Sequence, residues 1–133
     1  MAVAGAADMD DAAGITNLGW MYEQGDGVTK DFAAAKSWYE KSAYFNNSQA
    51  MVNLGNLYRD GHGVPKDYAQ AKAWYEKSAN LGRTFAMMRL GDLYLQGLGV
   101  PKDPVQARKW YEMAQAAGDT TAAKAISDMD KKK

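Results

Sequence analysis

The chain has 133 residues, of which 47% are hydrophobic and 24% charged, with sixteen basic residues balancing sixteen acidic ones and no cysteine. This composition specifies one modest folded domain rather than a disordered segment, offers no cationic surplus for nucleic acid or an anionic membrane, and excludes disulfides and thiolate metal sites while leaving the redox compartment open. No apolar run approaches the roughly 20 residues of a membrane span, and the opening MAVAGAADMDD has no basic segment followed by a long apolar one, so no signal peptide is read and the compartment stays open.

In chain order, the first predicted helix runs from about Ala13 to Gln24, with Ile15, Leu18 and Tyr22 at helical spacing on one face. Gly25 suits the left-handed position that ends a helix, and Gly27 gives the turn a second permissive point. Asp31 is a strong N-cap for the second helix, its charge suited to the positive end of the helix dipole. That helix turns Phe32, Ala35 and Tyr39 inward, with Trp38 about 100° round, and ends near Asn46, which tolerates left-handed geometry. Then the pattern begins again. Leu18, Gly19, Tyr22, Gly25, Gly27, Val28, Lys30, Asp31, Ala35, Trp38, Tyr39 and Glu40 all recur at steps of 36 residues, up to Trp110, Tyr111 and Glu112, without an insertion. In the third copy Asp103 is followed by Pro104, a proline at a first-turn position that loses no hydrogen bond, and by Gln106 at the capping-box position; Asp67 and Gln70 repeat that box.

The units are read as residues 13–49, 50–85 and 86–121. Residues 1–12 align with the end of a second helix whose partner is missing, and residues 122–133 with a half-unit cap and a basic KKK tail, Ile126 and Asp130 replacing the leucine and tyrosine of that register. The chain is thus expected to be a piece of a longer solenoid or a small protein with an unusual first cap. Gly19, Gly55 and Gly91 sit inside the first helices at a cost of about 1 kcal/mol each relative to alanine. The expected reason is close helix packing, with Ala35, Ala71 and Ala107 as the facing small residues. Adjacent Trp38 and Tyr39 must point to different sides, one filling its own unit and the other reaching a neighbour. The fold class is therefore all-α, a solenoid of stacked helix-turn-helix units.

The pattern LGxxYxxGxGVxxDxxxAxxWYEK resembles the Sel-one-like repeat (SLR), a relative of the tetratricopeptide repeat, over about residues 13–121. Asn46 for the usual glycine, Thr29 for proline and Gly14 for alanine are the departures. The resemblance implies an α/α right-handed superhelix that binds proteins, its first helices lining the concave surface. It also permits a periplasmic or secreted setting, as is frequent among bacterial members.

Other chemistry finds little support. The glycine loops lack the preceding strand, third glycine or Lys-Ser/Thr pair of a nucleotide site, and aspartate already occupies each helix start. His62 is a lone histidine at a loop tip. Asp8, Asp10 and Asp11 lack calcium-loop spacing. Ser37, Ser42, Ser48, Ser78 and Ser127 have no histidine to pair with, and the Trp38, Trp74, Trp110 stripe reads as core rather than an aromatic cage. No catalytic, cofactor or metal residue is assigned. Partner contacts are instead expected at first-helix columns where the units differ: Asn17, Asn53 and Arg89; Trp20, Asn56 and Asp92; Glu23, Arg59 and Leu95. The polar ones suit a peptide backbone or its carboxylates. Trp20 is either an interface anchor or packed on Ala6–Ala13. The leading functional reading is a non-catalytic scaffold for a protein or peptide in the concave groove. The alternative is an assembly subunit that self-associates through the open end, with apolar surface around Phe32, Trp38 and the Ile15 helix.

Overall fold

The computed structural model describes residues 9–131, which form seven α-helices and no strand. They are α1 (Met9–Gln24), α2 (Phe32–Tyr44), α3 (Ser48–Asp60), α4 (Tyr68–Asn80), α5 (Thr84–Gln96), α6 (Pro104–Ala116) and α7 (Ala122–Lys131). Helices pair as α1–α2, α3–α4 and α5–α6, and the pairs stack through α2–α3, α4–α5 and α6–α7. This is the expected all-α solenoid. None of the described helices is long and apolar enough to cross a membrane.

The helix ends follow the repeated residues. Gly61 and Gly97 take left-handed geometry, and their N–H groups bond back to Leu57 and Leu93. Asn46, at φ 63°, takes the left-handed place that Gly82 and Gly118 hold in later units. Asp31, Asp67 and Asp103 cap α2, α4 and α6, each carboxylate accepting from the backbone N–H three residues on at 3.1 Å. The capping box is only half formed. The N–H of Asp67 donates to the Tyr58 carbonyl at 2.9 Å, and that of Asp103 to Tyr94 at 2.8 Å. The last turn of the preceding helix carries unpaired carbonyls, and these take the donor that Gln70 and Gln106 were expected to receive. Asp67→Ala should lower the unfolding free energy by about 1 kcal/mol, and Asp67→Asn should recover most of it, as read by urea denaturation.

α1 starts at Met9, before the expected Ala13. Residues opposite the turn at 45–47 are helical here and run straight into α1; residues 1–8 lie outside the described part of the chain.

Tyr39, Tyr75 and Tyr111 are the largest fully buried side chains. Each lies across the helical glycine of its own unit. A Cβ on Gly19 would stand 2.6 Å from the Tyr39 ring, and one on Gly55 would stand 2.5 Å from Tyr75 Cε1. The close neighbour is therefore the tyrosine ring first, with the Ala35 carbonyl next at 3.2 Å from the Gly19 position. The expectation named only the facing alanine; at Gly19 the ring comes nearer than Ala35, which still supplies the next atom through its carbonyl oxygen. The tryptophans take the other direction. Trp74 is half-buried against the cluster of Ala43, Met51 and Leu54, on the seam with the preceding unit rather than in the core. Serines 42 and 78 stitch the paired helices, α2 to α1 and α4 to α3, donating to the carbonyls of Ala12 at 2.6 Å and Ser48 at 2.8 Å.

Successive units also meet through the interhelix loops. His62 stacks on Phe32 of the first unit, ring centroids 4.6 Å apart. Gly63, at φ 77°, lies so close that a Cβ there would be 2.7 Å from Phe32 Cβ. Phe32 is thus covered by the second unit and does not contribute to the open end. Exposure at that end falls on α1 itself. Leu54 and Leu90 are 0% exposed because Ala35, Tyr39 and Ala43 cover one and Ala71, Tyr75 and Ala79 the other. Leu18, in the same register, is 39% exposed.

Candidate partner-binding face

The first helices carry two demands at once: they must satisfy the buried tyrosines and present whatever varies between units. A buried phenol needs an acceptor. Tyr75 donates to Asn56 Oδ1 at 2.5 Å and Tyr111 to Asp92 Oδ1 at 2.6 Å. In the first unit the same column holds Trp20, which has no acceptor. Tyr39 therefore donates to Glu23 Oε1 at 2.5 Å, one turn further along α1. Asn56 and Asp92, expected only as partner contacts, are thus bound into the fold. Glu23, like Asn56 and Asp92, was expected in a varied partner-contact column and not as a tyrosine's acceptor. The signal that would have found it was a tyrosine column needing an acceptor in every unit. Burial raises all three phenol pKa values, with Glu23 and Asp92 adding to the effect at Tyr39 and Tyr111. Tyr75 is pushed up to about 12, against the pull of the Arg59 and Arg89 cations.

Those two arginines define the middle of the face. Arg59 forks onto Asp60, with Nε–Oδ1 at 2.9 Å and Nη2–Oδ2 at 3.1 Å. The pairing raises the arginine pKa and lowers that of the Asp60 carboxyl. Arg89 donates from Nη1 to Asp92 Oδ2 at 3.2 Å, lays its guanidinium 4.5 Å from the Phe85 ring centroid, and has a buried Nε that makes no hydrogen bond. Asn53 accepts from Gln49 at 2.9 Å and bears on the Tyr39 hydroxyl. The fold therefore gathers Asn53, Asn56, Arg59, Arg89 and Asp92 around the tyrosine hydroxyls along the seam of α3 and α5. Asn17 and Trp20 stand on α1, exposed, without a hydrogen bond to that cluster. Trp20 is 48% exposed; residues 6–8, part of its expected packing surface, lie outside the described residues.

The charges on this face are largely self-neutralised, which favours recognition by shape and hydrogen bonding over simple attraction. Among the described residues no group of three His, Cys, Asp or Glu side chains comes together to hold a metal ion. His62 is engaged in its ring stack. Toward the chain's C-terminal end the face opens into a cleft of about 1010 Å³ between α5, α6 and α7. A smaller one of about 560 Å³ lies by the ends of α2 and α4, walled by Tyr44, Trp74 and Leu81.

The comparisons agree with this architecture. The Sel1 repeat model matches residues 12–44, 48–82 and 84–119. No curated protein is similar enough to the chain to register as a relative. Among solved structures the chain is similar to a Sel1 repeat protein from Oxalobacter formigenes, with 40% identity and a TM-score of 0.78 over 84% of this chain and 45% of that one. It is also similar to a protective antigen of uropathogenic Escherichia coli strains that displays an SLR fold, with 36% identity and a TM-score of 0.84 over 93% of this chain and 27% of that one. The chain thus spans less than half the length of either. Cysteine-rich protein B of Helicobacter pylori shares the fold, with 24% identity and a TM-score of 0.70 over 87% of this chain and 90% of that one. With three units matched in succession and the helix pairs stacked in the same order, the chain belongs to the Sel1 repeat family.

Proposed function

We propose that the protein is a non-catalytic interaction scaffold that holds a peptide or protein partner across the shared face of α1, α3 and α5, the concave side expected for such a repeat. Sel1 repeat proteins are in general protein-interaction scaffolds. The observation that carries the reading for this chain is the gathering of Asn53, Arg59 and Arg89 on one seam, beside Asn56 and Asp92, whose oxygens the buried phenols already engage. They occupy columns that vary while the surrounding scaffold repeats. A scaffold recognises through such positions, because the identical ones are already spent on packing.

Photo-crosslinking tests it. A photoreactive amino acid placed at Asn17 or Trp20 should capture a defined partner, whereas one at Lys109, exposed on the outer helix α6, should not. Equal capture from all three positions, or capture from Lys109 alone, would remove the face from consideration. A second reading, self-association through the open end, draws on the 39% exposure of Leu18 against 0% at Leu54 and Leu90. The same experiment on purified protein separates it, since a crosslinked pair of copies from Asn17 alone favours this second reading.

A further inference from the structure

The seam of α3 and α5 has used its acceptors and kept its donors. The Asn56 amide oxygen takes the Tyr75 phenol, both Asp60 oxygens take Arg59, and the two Asp92 oxygens take Tyr111 and Arg89. Asn56 Nδ2, Arg59 Nη1 and Arg89 Nη2 make no hydrogen bond among the described residues, and Arg89 Nε is buried without one. A buried donor left unmade costs stability, so Arg89 gains by turning toward an acceptor offered from outside. The seam lies in the middle of the stack, with α1 beyond one side and α7 beyond the other. Its open donors are therefore not the product of a missing neighbour.

Charge decides which acceptor fits. The charged groups that bear on the Tyr75 hydroxyl are two cations, Arg59 and Arg89, and two carboxylates, Asp60 and Asp92. Glu23 on α1 adds a negative charge beside Tyr39, and Lys124 and Asp128 on α7 pair with each other. An incoming carboxylate would lose its hydration to stand among charges that already balance. A neutral carbonyl oxygen takes the same donors without that penalty. The interior carbonyls of an α-helix are bonded within the helix. An extended chain leaves its carbonyls free and presents one about every 7 Å along each side.

One aromatic ring completes the strip. Phe85 is 45% exposed and carries the Arg89 guanidinium at 4.5 Å from its centroid. Its column holds Ala13 and Gln49 in the earlier units, so the ring belongs to one unit and not to the repeat.

We propose that the α3–α5 seam binds an extended, unstructured segment of the partner through its main-chain carbonyls, with Asn56, Arg59 and Arg89 donating and an apolar side chain of the segment resting against Phe85. This rests on the scaffold reading above and adds the partner's conformation and chemistry: extended rather than helical, and held by its backbone rather than by acidic side chains.

A displayed library of random linear peptides, selected on the intact chain, supplies the probes. Enriched peptides should not be rich in acids, and their affinity should change less than about twofold between about 50 and 500 mM salt. Arg89→Ala, which copies Ala125 of the same column, and Arg59→Leu, which copies Leu95, should each weaken every enriched peptide about tenfold whatever its sequence. Phe85→Gln should weaken only those with an apolar residue at one fixed position. A thioamide in place of a contacted carbonyl, being a poorer acceptor, should cost several-fold in the parent and nothing further in Arg89→Ala. Thermal unfolding of the variants should match the parent; should a variant not fold, the thioamide and salt series on the parent decide. Acid-rich peptides whose affinity collapses in salt overturn the proposal in favour of a carboxylate ligand. Peptides that bind more tightly when locked into a helix overturn it as well. Peptides that crosslink to Asn17 or Trp20 yet ignore both Arg59→Leu and Arg89→Ala overturn it while leaving the scaffold reading standing. A failure to enrich any peptide counts against both.

Discussion

Replacing Gly55 by alanine is expected to destabilise the protein by about 2 kcal/mol, although alanine is the better helix former by about 1 kcal/mol. The new methyl group would stand 2.5 Å from Cε1 and 2.7 Å from Cδ1 of Tyr75. That ring has nowhere to go: Tyr75 is 0% exposed, and its hydroxyl is tied to Asn56 at 2.5 Å. Overpacking of this kind costs about 1–3 kcal/mol and more when both contacts are pinned, so it outweighs the propensity gain. Gly14→Ala in α1 should do the opposite. Nothing lies within 4 Å of its Cβ position, so propensity alone acts and stability should rise by about 0.5–1 kcal/mol. Urea midpoints of the two variants should move in opposite directions. Pairing Gly55→Ala with Tyr75→Leu should cost less than the sum of the two alone, because the smaller side chain makes room for the methyl group. If Gly55→Ala is as stable as the parent, the ring does not lie where the fold places it.

This case also shows how the sequence divides into what one dimension carries and what it does not. Steps of 36 residues, aspartate at each second-helix start, and Gly or Asn at each left-handed position are local features, and they locate the units, the caps and the turns. The presence of an interior glycine is equally plain. Its partner is not, because Ala35 and Tyr39 are one turn apart on the same helix, and only the approach of the two helices decides which lies over Gly19. The varied columns were visible, yet their meaning depended on a neighbour. Asn56 and Asp92 look like recognition residues until the phenols of Tyr75 and Tyr111 are seen to donate to them. Arg59 and Arg89 belong to separate columns, and only the stacking of the second and third units brings both to the Tyr75 hydroxyl. Function in a repeat protein is written in the differences, but the fold decides which differences are repairs and which are surfaces.

The same three tyrosines carry the other large effect, expected at high pH. In the unfolded chain a tyrosine releases its proton near pH 10. In the folded protein burial pushes Tyr75 up to about 12 and raises Tyr39 and Tyr111 as well. The folded state therefore keeps protons that the unfolded state has lost. Below about pH 10 the contribution of these groups to stability is fully present; as pH rises from there toward and through the folded-state values it is lost. Each such phenol takes away about 1.4 kcal/mol per pH unit, so three acting together take about 4. Against a total stability on the order of 5–15 kcal/mol, the protein should unfold cooperatively within a few pH units above 10. Lys36 and Lys72, whose pKa values are raised by Glu40 and Glu76, push in the same direction from the surface and count for less. Urea denaturation at a series of alkaline pH values, followed together with tyrosinate absorbance, measures the slope. Tyr75→Phe should reduce that slope by about a third, while costing about 1 kcal/mol at neutral pH for the hydrogen bond to Asn56. Helical circular dichroism that persists after all the tyrosines have ionised would contradict the burial of these phenols against their glycines, and with it the packing on which the stacked units depend.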